Sequence, residues 1–360
     1  MNTPKLRFKE FTDEWKENKL HDIAKITMGQ SPNSENYTYD SSDTLLIQGN
    51  ADLYNGKVIP RLFTKQITKT CDKEDIIMTV RAPVGDIAIS DYYACIGRGV
   101  CSIKSSKFIY HYLDYLKEKG YWKKISKGST IDSITSDNIK SLIIKTPSKK
   151  EQEKIIRTID LINKKIELQT RKIKALKLFK KGLSPMIFNS INIISEKKLG
   201  NICSIKTGNL DANAMTTNGK YRFYTCAKNY YYTDNYAFDN EALLISGNGA
   251  YVGYIHYYKG KFNAYQRTYV LDSFLENIQY VKVYLEEFLP KRISLEKKEG
   301  NTPYIVLSTL YDMKIKLTDS KTEDKVINLF LYVNSKIKQE SEKFNKYNEL
   351  KKGLMQNMFI

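Results

Sequence analysis

At 360 residues the chain exceeds one average domain and suits two, each large enough to bury a core of its own. Lysine and arginine outnumber aspartate and glutamate by 58 to 40, a formal charge of +18 with an isoelectric point near 9.3, which points to a partner rich in phosphate. The first residues lack the apolar core of a signal peptide and no stretch approaches the ~20 apolar residues of a membrane span, so the expected compartment is the cytoplasm, with no membrane partner.

From the N-terminus onward, the early part reads as β-rich. Asp75–Val80 and Asp86–Ile89 are short β-branched runs bounded by Gly, Asn and Asp, and a short helix is expected at 108–119. At Pro147–Ser148 the period changes. Ile155, Ile159, Ile162, Ile166, Gln169, Ile173, Leu176, Lys180 and Leu183 follow one another in steps of four and three, the seam of a coiled coil. Gly182 and Pro185 are expected to close that helix, giving about 30 residues and on the order of 45 Å. A second β-rich stretch follows with Ala242–Ile245 and Val252–Tyr258, then a short helix at 280–289. The chain ends on a second seam of Val326, Phe330, Val333, Ile337, Glu340, Phe344, Tyr347, Lys351 and Leu354.

These elements are two copies of one module of about 175 residues. Lys19, Leu20, Ile23, Ile26 and Gly29 return as Lys198, Leu199, Ile202, Ile205 and Gly208. Ala82, Val84, Gly85 and Ile87 return as Ala250, Val252, Gly253 and Ile255, and Lys180–Leu183 returns as Lys351–Leu354, each followed by a phenylalanine, Phe188 and Phe359. The expected fold class is α+β: two globular recognition domains at 1–147 and 189–319, each followed by a long helix, at 148–188 and 320–360. An amphipathic helix of that length needs a partner to cover its stripe. If a two-fold relates the copies, the helices run antiparallel, with Gln169 and Glu340 expected to meet midway and fix the register.

The residues also carry a family resemblance. Pro4–Trp15 with Leu20–Ile23, the run from Gly128 to Thr135, Pro147–Ser148 with Glu151 and Gln152, and Lys351–Phe359 resemble, in this order, the specificity (S) subunits of type I restriction-modification enzymes. The resemblance spans essentially the whole chain. It implies two target-recognition domains, each reading one half of a split sequence in double-stranded DNA, held apart by an antiparallel coiled coil. It further implies two methyltransferase (M) subunits around the helices, adenine methylation as the reaction, and restriction (R) subunits for ATP-driven translocation and cleavage. The second copy departs from the pattern: nothing matches Trp15, and Lys314–Asp319 lacks the Pro and the Glu-Gln pair of 147–152.

Catalytic motifs are missing. An adenine methyltransferase needs an Asn-Pro-Pro-Tyr-like tetrad for a flipped base, and this chain has no Pro-Pro dipeptide. It has no GxxxxGK[ST] phosphate loop either. No cofactor is therefore expected on the chain itself; S-adenosylmethionine, ATP and Mg belong to the partner subunits. Gly247–Gly253 has a glycine pattern like a dinucleotide fingerprint, but a strand follows where the helix should begin. His21, His111 and His256 lie far apart without ligand spacing, and Glu296 beside its lysines is a weak nuclease signal. The five cysteines never fall as CxxC, so reduced and mostly buried thiols are expected rather than a disulfide framework or zinc knuckle. No metal site is expected. The competing readings are a self-sufficient DNA nuclease or methyltransferase, or a coiled-coil scaffold binding protein or RNA.

Reading DNA needs lysine and arginine for phosphates, and bidentate side chains projected from loops for bases. In the first domain the turn-rich candidates are Gln30, Ser31, Asn33, Gln48, Asn50, Arg81, Arg98, Lys127, Ser129 and Thr130. In the second they are Asn209, Lys228, Asn229, Asn248, Gln266, Arg267, Asn301 and Thr302, with Arg98 and Arg267 at nearly equal places in the repeat. Tyr230–Tyr232 and Tyr257–Tyr258 are either sugar-packing groups or partial core. The basic residues Lys164, Lys165, Arg171, Lys172 and Lys174 either contact DNA across the gap or form the solvated face of a helix that meets the M subunits, and the second is the preferred reading.

Overall fold

The computed structural model describes residues 3–126, 133–296 and 304–360. The chain forms two compact units, one of Met1–Thr170 with Glu342–Ile360, the other of Arg171–Ser341.

In the first unit a six-stranded sheet runs in the spatial order Lys25–Met28, Val100–Lys104, Ile76–Thr79, Ile87–Ile89, Lys57–Val58, Leu53–Tyr54. A five-stranded sheet runs Tyr37–Thr38, Phe63–Thr64, Thr44–Ile47, Ala94–Ile96, Thr70–Cys71. Because side chains alternate across a strand, the first sheet serves two cores. Ile77, Ala88 and Val100 join Leu45, Ile47 and Ile96 of the second sheet, while Ile76, Met78, Ile87 and Ile103 pack with Phe108, Tyr112 and Leu113 of the helix Lys107–Glu118. These strands are buried on both faces, so they read as apolar runs rather than as alternation.

The second unit repeats this plan on one six-stranded sheet, ordered Ser204–Thr207, Thr268–Asp272, Phe238–Ser246, Ile255–Ala264, Tyr221–Tyr224, Tyr231–Thr233. Leu243 and Ile245 face the helix Ile278–Glu296, and Ala242 and Leu244 face Tyr224, Phe262 and Val270. In each unit a short antiparallel pair leads to the foot of a long helix: Lys16–Lys19 with Ile143–Thr146, and Ser195–Lys198 with Lys314–Leu317.

The long helices are Lys149–Ser190 and Ser320–Met358. Ser148 opens the first, its Oγ accepting from the Glu151 N–H at 3.4 Å. Asp319 opens the second: its Oδ2 accepts from the Thr322 hydroxyl at 2.6 Å and its Oδ1 from the Thr322 N–H at 3.0 Å, bonds to the ionised form that hold this carboxyl below its ordinary range. Every seam position read from the sequence is buried or half-buried. The direction of pairing shows within each unit. In the first, Ile155 and Ile159 from the head of the first helix share a core with Met355, Met358 and Phe359 from the tail of the second. In the second, Phe188 from the tail of the first helix packs with Val326 and Phe330 from the head of the second. The helices therefore run antiparallel. Lys172 Nζ lies 3.0 Å from Oε1 of buried Glu340, and Gln169 is also buried.

The expectation that Gly182 and Pro185 end the first helix is corrected. The helix continues through both to Ser190, 42 residues in all. An interior proline costs about 3 kcal/mol. Phe188 lies beyond it with ring centroids 5.2 Å from both Tyr284 and Phe288, and burial of that ring offsets the defect.

Candidate nucleic-acid interface

In the first unit, loops at the ends of the two sheets enclose an open cavity of about 600 Å³. Ser31, Asn33, Gln48, Asn50, Arg81 and Arg98, scattered over nearly 70 positions, all line it. Among the described residues no carboxylate pairs with either arginine. The cavity is thus cationic and rimmed by amides. Gln30 sits beside it, held through its backbone N–H to the Ile96 carbonyl at 2.9 Å. Lys127, Ser129 and Thr130 lie outside the described residues.

The loop is stiff. Asp52, itself buried, accepts from the N–H groups of Gln48 and Gly49 at 2.8 and 3.1 Å. A Cβ at Gly99 would stand 2.1 Å from the Gln48 carbonyl oxygen, so only glycine lets the two segments approach this closely. Arg98 donates its backbone N–H to Ser31 Oγ at 3.1 Å, leaving its exposed guanidinium free to project. Asn50 donates to Asp86, which also receives Lys117 at 2.6 Å. Gln48 Nε2 is shut off from solvent without a hydrogen-bond partner, a donor that costs about 1–3 kcal/mol until something accepts from it.

In the second unit a cavity of about 560 Å³ is lined by Lys228 and Asn229 together with Arg222, Tyr224, Tyr230 and His256. The Arg222 guanidinium lies 4.3 Å from the Tyr230 ring centroid and 4.5 Å from that of Tyr258. It donates to Tyr224 OH at 3.5 Å, a bond that raises the arginine's pKa further, while burial raises that of Tyr224. Burial lowers the pKa of His256, whose Nε2 meets the Ala227 carbonyl at 2.9 Å, so the imidazole is a neutral donor near pH 7. Sequence reasoning missed Arg222, Tyr224 and His256. The signal was there: 222 and 224, and 256 and 258, are pairs two apart on the strands Tyr221–Tyr224 and Ile255–Ala264, which places each pair on one sheet face.

Asn248, Gln266 and Arg267 gather on neighbouring turns. The Gly247 N–H donates to the Arg267 carbonyl at 2.9 Å, and Gln266 Nε2 donates to Asp211 Oδ1 at 2.8 Å. Asn209 is exposed at the next turn, and Asn301 and Thr302 lie outside the described residues.

Backbone hydrogen bonds fix which positions of the two copies correspond. Gly29 N–H to the Val100 carbonyl matches Gly208 to Thr268; Val100 to Gly97 matches Thr268 to Tyr265; Val80 to Gly99 matches Gly247 to Arg267. The isolated bridge Arg81–Ser133 matches Asn248–Tyr304. Arg98 thus corresponds to Gln266 and Arg81 to Asn248, while Arg267 corresponds to Gly99. The near-equivalence of Arg98 and Arg267 read from the sequence is one residue out of register, because loop lengths between the matched motifs differ.

Among the described residues no cluster of His, Cys, Asp or Glu could hold a metal. No helix among them is long and apolar enough to cross a membrane. The five thiols are free, four of them buried, and burial pushes Cys71 up to about 11 and Cys101 and Cys203 to about 12.

Comparison with known proteins adds an independent line. The family described as the type I restriction modification DNA specificity domain matches residues 12–178 and again 194–352. The chain is 33% identical over 186 residues to the putative type I restriction enzyme MjaX specificity subunit of Methanocaldococcus jannaschii, 49% of this chain and 43% of that one. It is 38% identical over 120 residues to the EcoDI specificity subunit of Escherichia coli, 33% of this chain and 26% of that one. These matches thus span less than half of either relative. The MjaIX specificity subunit of M. jannaschii is 26% identical over 353 residues, 82% of this chain and 81% of that one. The fold is similar to the crystal structure of a type I S subunit from M. genitalium, with a TM-score of 0.68 at 18% identity over 99% of each chain. With the fold repeated and the family matched once in each copy, the chain belongs to the type I restriction-modification DNA specificity family.

Proposed function

We propose that the chain is the non-catalytic DNA sequence-specificity subunit of a type I restriction-modification enzyme. Each recognition domain reads one half of a bipartite target in double-stranded DNA, and the paired helices set the gap between the halves. The observation that carries this reading is the first cavity, where Arg81, Arg98, Gln48 and Asn50 converge from separate loops on one cationic recess. That combination of forks and amides is what base edges in a major groove require.

The helices also dock two methyltransferase (M) subunits, with restriction (R) subunits joining the assembly in the cytoplasm. Support comes from large apolar side chains left on their outer faces: Leu161, Leu168, Leu178 and Phe179 on the first, Leu331 and Tyr332 on the second, each at least half exposed. S-adenosylmethionine, ATP and Mg act on those partners. The buried polar groups Gln169 and Glu340 set the helix register.

The test is genome-wide mapping of methylated adenines in a host carrying the chain with its M subunit. One split motif with an unread gap of fixed length is expected. Methylation or cleavage of DNA by the purified chain alone would overturn the reading in favour of a self-sufficient enzyme.

A further inference from the structure

The two copies share the backbone hydrogen bonds of these turns and differ in what they project from them. At the turn that follows the strand Ala94–Ile96, and at its counterpart after Ile255–Ala264, one carries Arg98 and the other Gln266. At the bridge position beyond the strands Ile76–Thr79 and Phe238–Ser246, one carries Arg81 and the other Asn248. Both substitutions run the same way, from guanidinium to amide.

The two side-chain types match different bases. A guanidinium fork donates twice, which suits the O6 and N7 acceptors of guanine; a carboxamide donates once and accepts once, which suits N7 and N6 of adenine. We infer that these two positions are the base-reading positions of each domain, with Arg81 and Arg98 selecting guanines in one half-site and Asn248 and Gln266 selecting adenines in the other. This rests on the proposed DNA-reading function and assigns its code.

Local geometry supports the assignment. Arg98 and Arg81 share one cavity. Their guanidinium groups have no carboxylate partner among the described residues, so their donors are available. Asp211 Oδ1 accepts a hydrogen bond from one N–H of the Gln266 amide at 2.8 Å, which fixes the orientation of the amide and leaves its second N–H and its carbonyl oxygen for a base. Asp211 acts here as a positioning residue.

The experiment maps methylated adenines for the wild-type chain, Arg98→Gln and Gln266→Arg, each expressed with its M subunit. A guanine in one half of the wild-type motif and an adenine in the other are expected. Arg98→Gln should reduce discrimination at that guanine by roughly tenfold to a hundredfold and leave the other half-site intact. Gln266→Arg should do the same at an adenine of the other half. The untouched half-site reports that the variant is folded and assembled. A variant that methylates nothing is read by titrating the purified complex with duplexes substituted base by base, where loss confined to one position supports the inference and equal loss on every duplex overturns it. An unchanged motif in both variants, or a wild-type motif lacking guanine in both halves, overturns the inference and leaves the functional reading standing. The absence of any split motif in the wild type overturns the functional reading, and the inference with it.

Discussion

Two buried glutamates open the two long helices, and their surroundings differ. Glu151 is held by Arg7, whose Nε and Nη2 lie 2.8 and 2.9 Å from its oxygens. Among the described residues Glu323 has no such arginine. Burial, followed by the nearby Glu276, Asp324 and Asp319 carboxylates, raises its pKa to about 7 from the ordinary 4.5. Between those values the folded chain holds a proton that the unfolded chain has lost. Its stability therefore falls as pH rises through that window and levels off above it. Glu323→Gln should raise the melting temperature at pH 8, have little effect at pH 4.5, and flatten the slope between. Thermal melts of both proteins across that range check this, and an unaltered slope in the variant would assign the pH dependence elsewhere. Nothing in the sequence singled out Glu323, because its burial depends on packing between elements far apart in the chain.

At the scale of elements, the long helices were the most legible part. A seam of steps of four and three needs only the spacing of apolar residues, and the structure buries or half-buries every position on it. Their length was not legible. The end read at Pro185 gave way because Phe188 is more valuable in a core than a regular hydrogen bond is in a helix. The loops divided in the same manner. Turn-rich composition singled out Arg81, Arg98 and Gln48 in one cavity and Lys228 and Asn229 in the other, but a run of tyrosines on strands reads equally well as core, so Arg222, Tyr224 and His256 were missed. The helices also yield a prediction. Inserting one heptad into each, in register, keeps the seam and lengthens the spacer by about 10 Å. At about 3.4 Å per base pair the unread gap should grow by about three pairs with both half-sites unchanged. Motif mapping reads this directly, and an unaltered gap would show that the helices do not measure it.

For the molecule as a whole, the charge of +18 is an association term rather than a fold term. If affinity comes from phosphate contacts, as a basic chain with six to ten of them would show, raising salt from about 50 to 200 mM should weaken binding of the assembled complex roughly 10³- to 10⁵-fold. Titration of duplex DNA at several salt concentrations gives the slope. A flat response would mean that the basic residues serve protein partners instead.

The order in which the units close follows from one contact. Phe359 packs edge-to-face against Phe108 with ring centroids 5.5 Å apart, in the core that also holds Trp15, and the Ile360 carbonyl accepts from Tyr112 OH at 2.7 Å. The other unit, Arg171–Ser341, is one continuous stretch of chain. On the ribosome, Phe108 emerges roughly 250 residues ahead of its lid, and at about 5–20 residues per second it waits some 10–50 s. Throughout that interval the earliest-made half offers an open apolar surface to chaperones and to neighbouring nascent chains, and although synthesised first it is completed last.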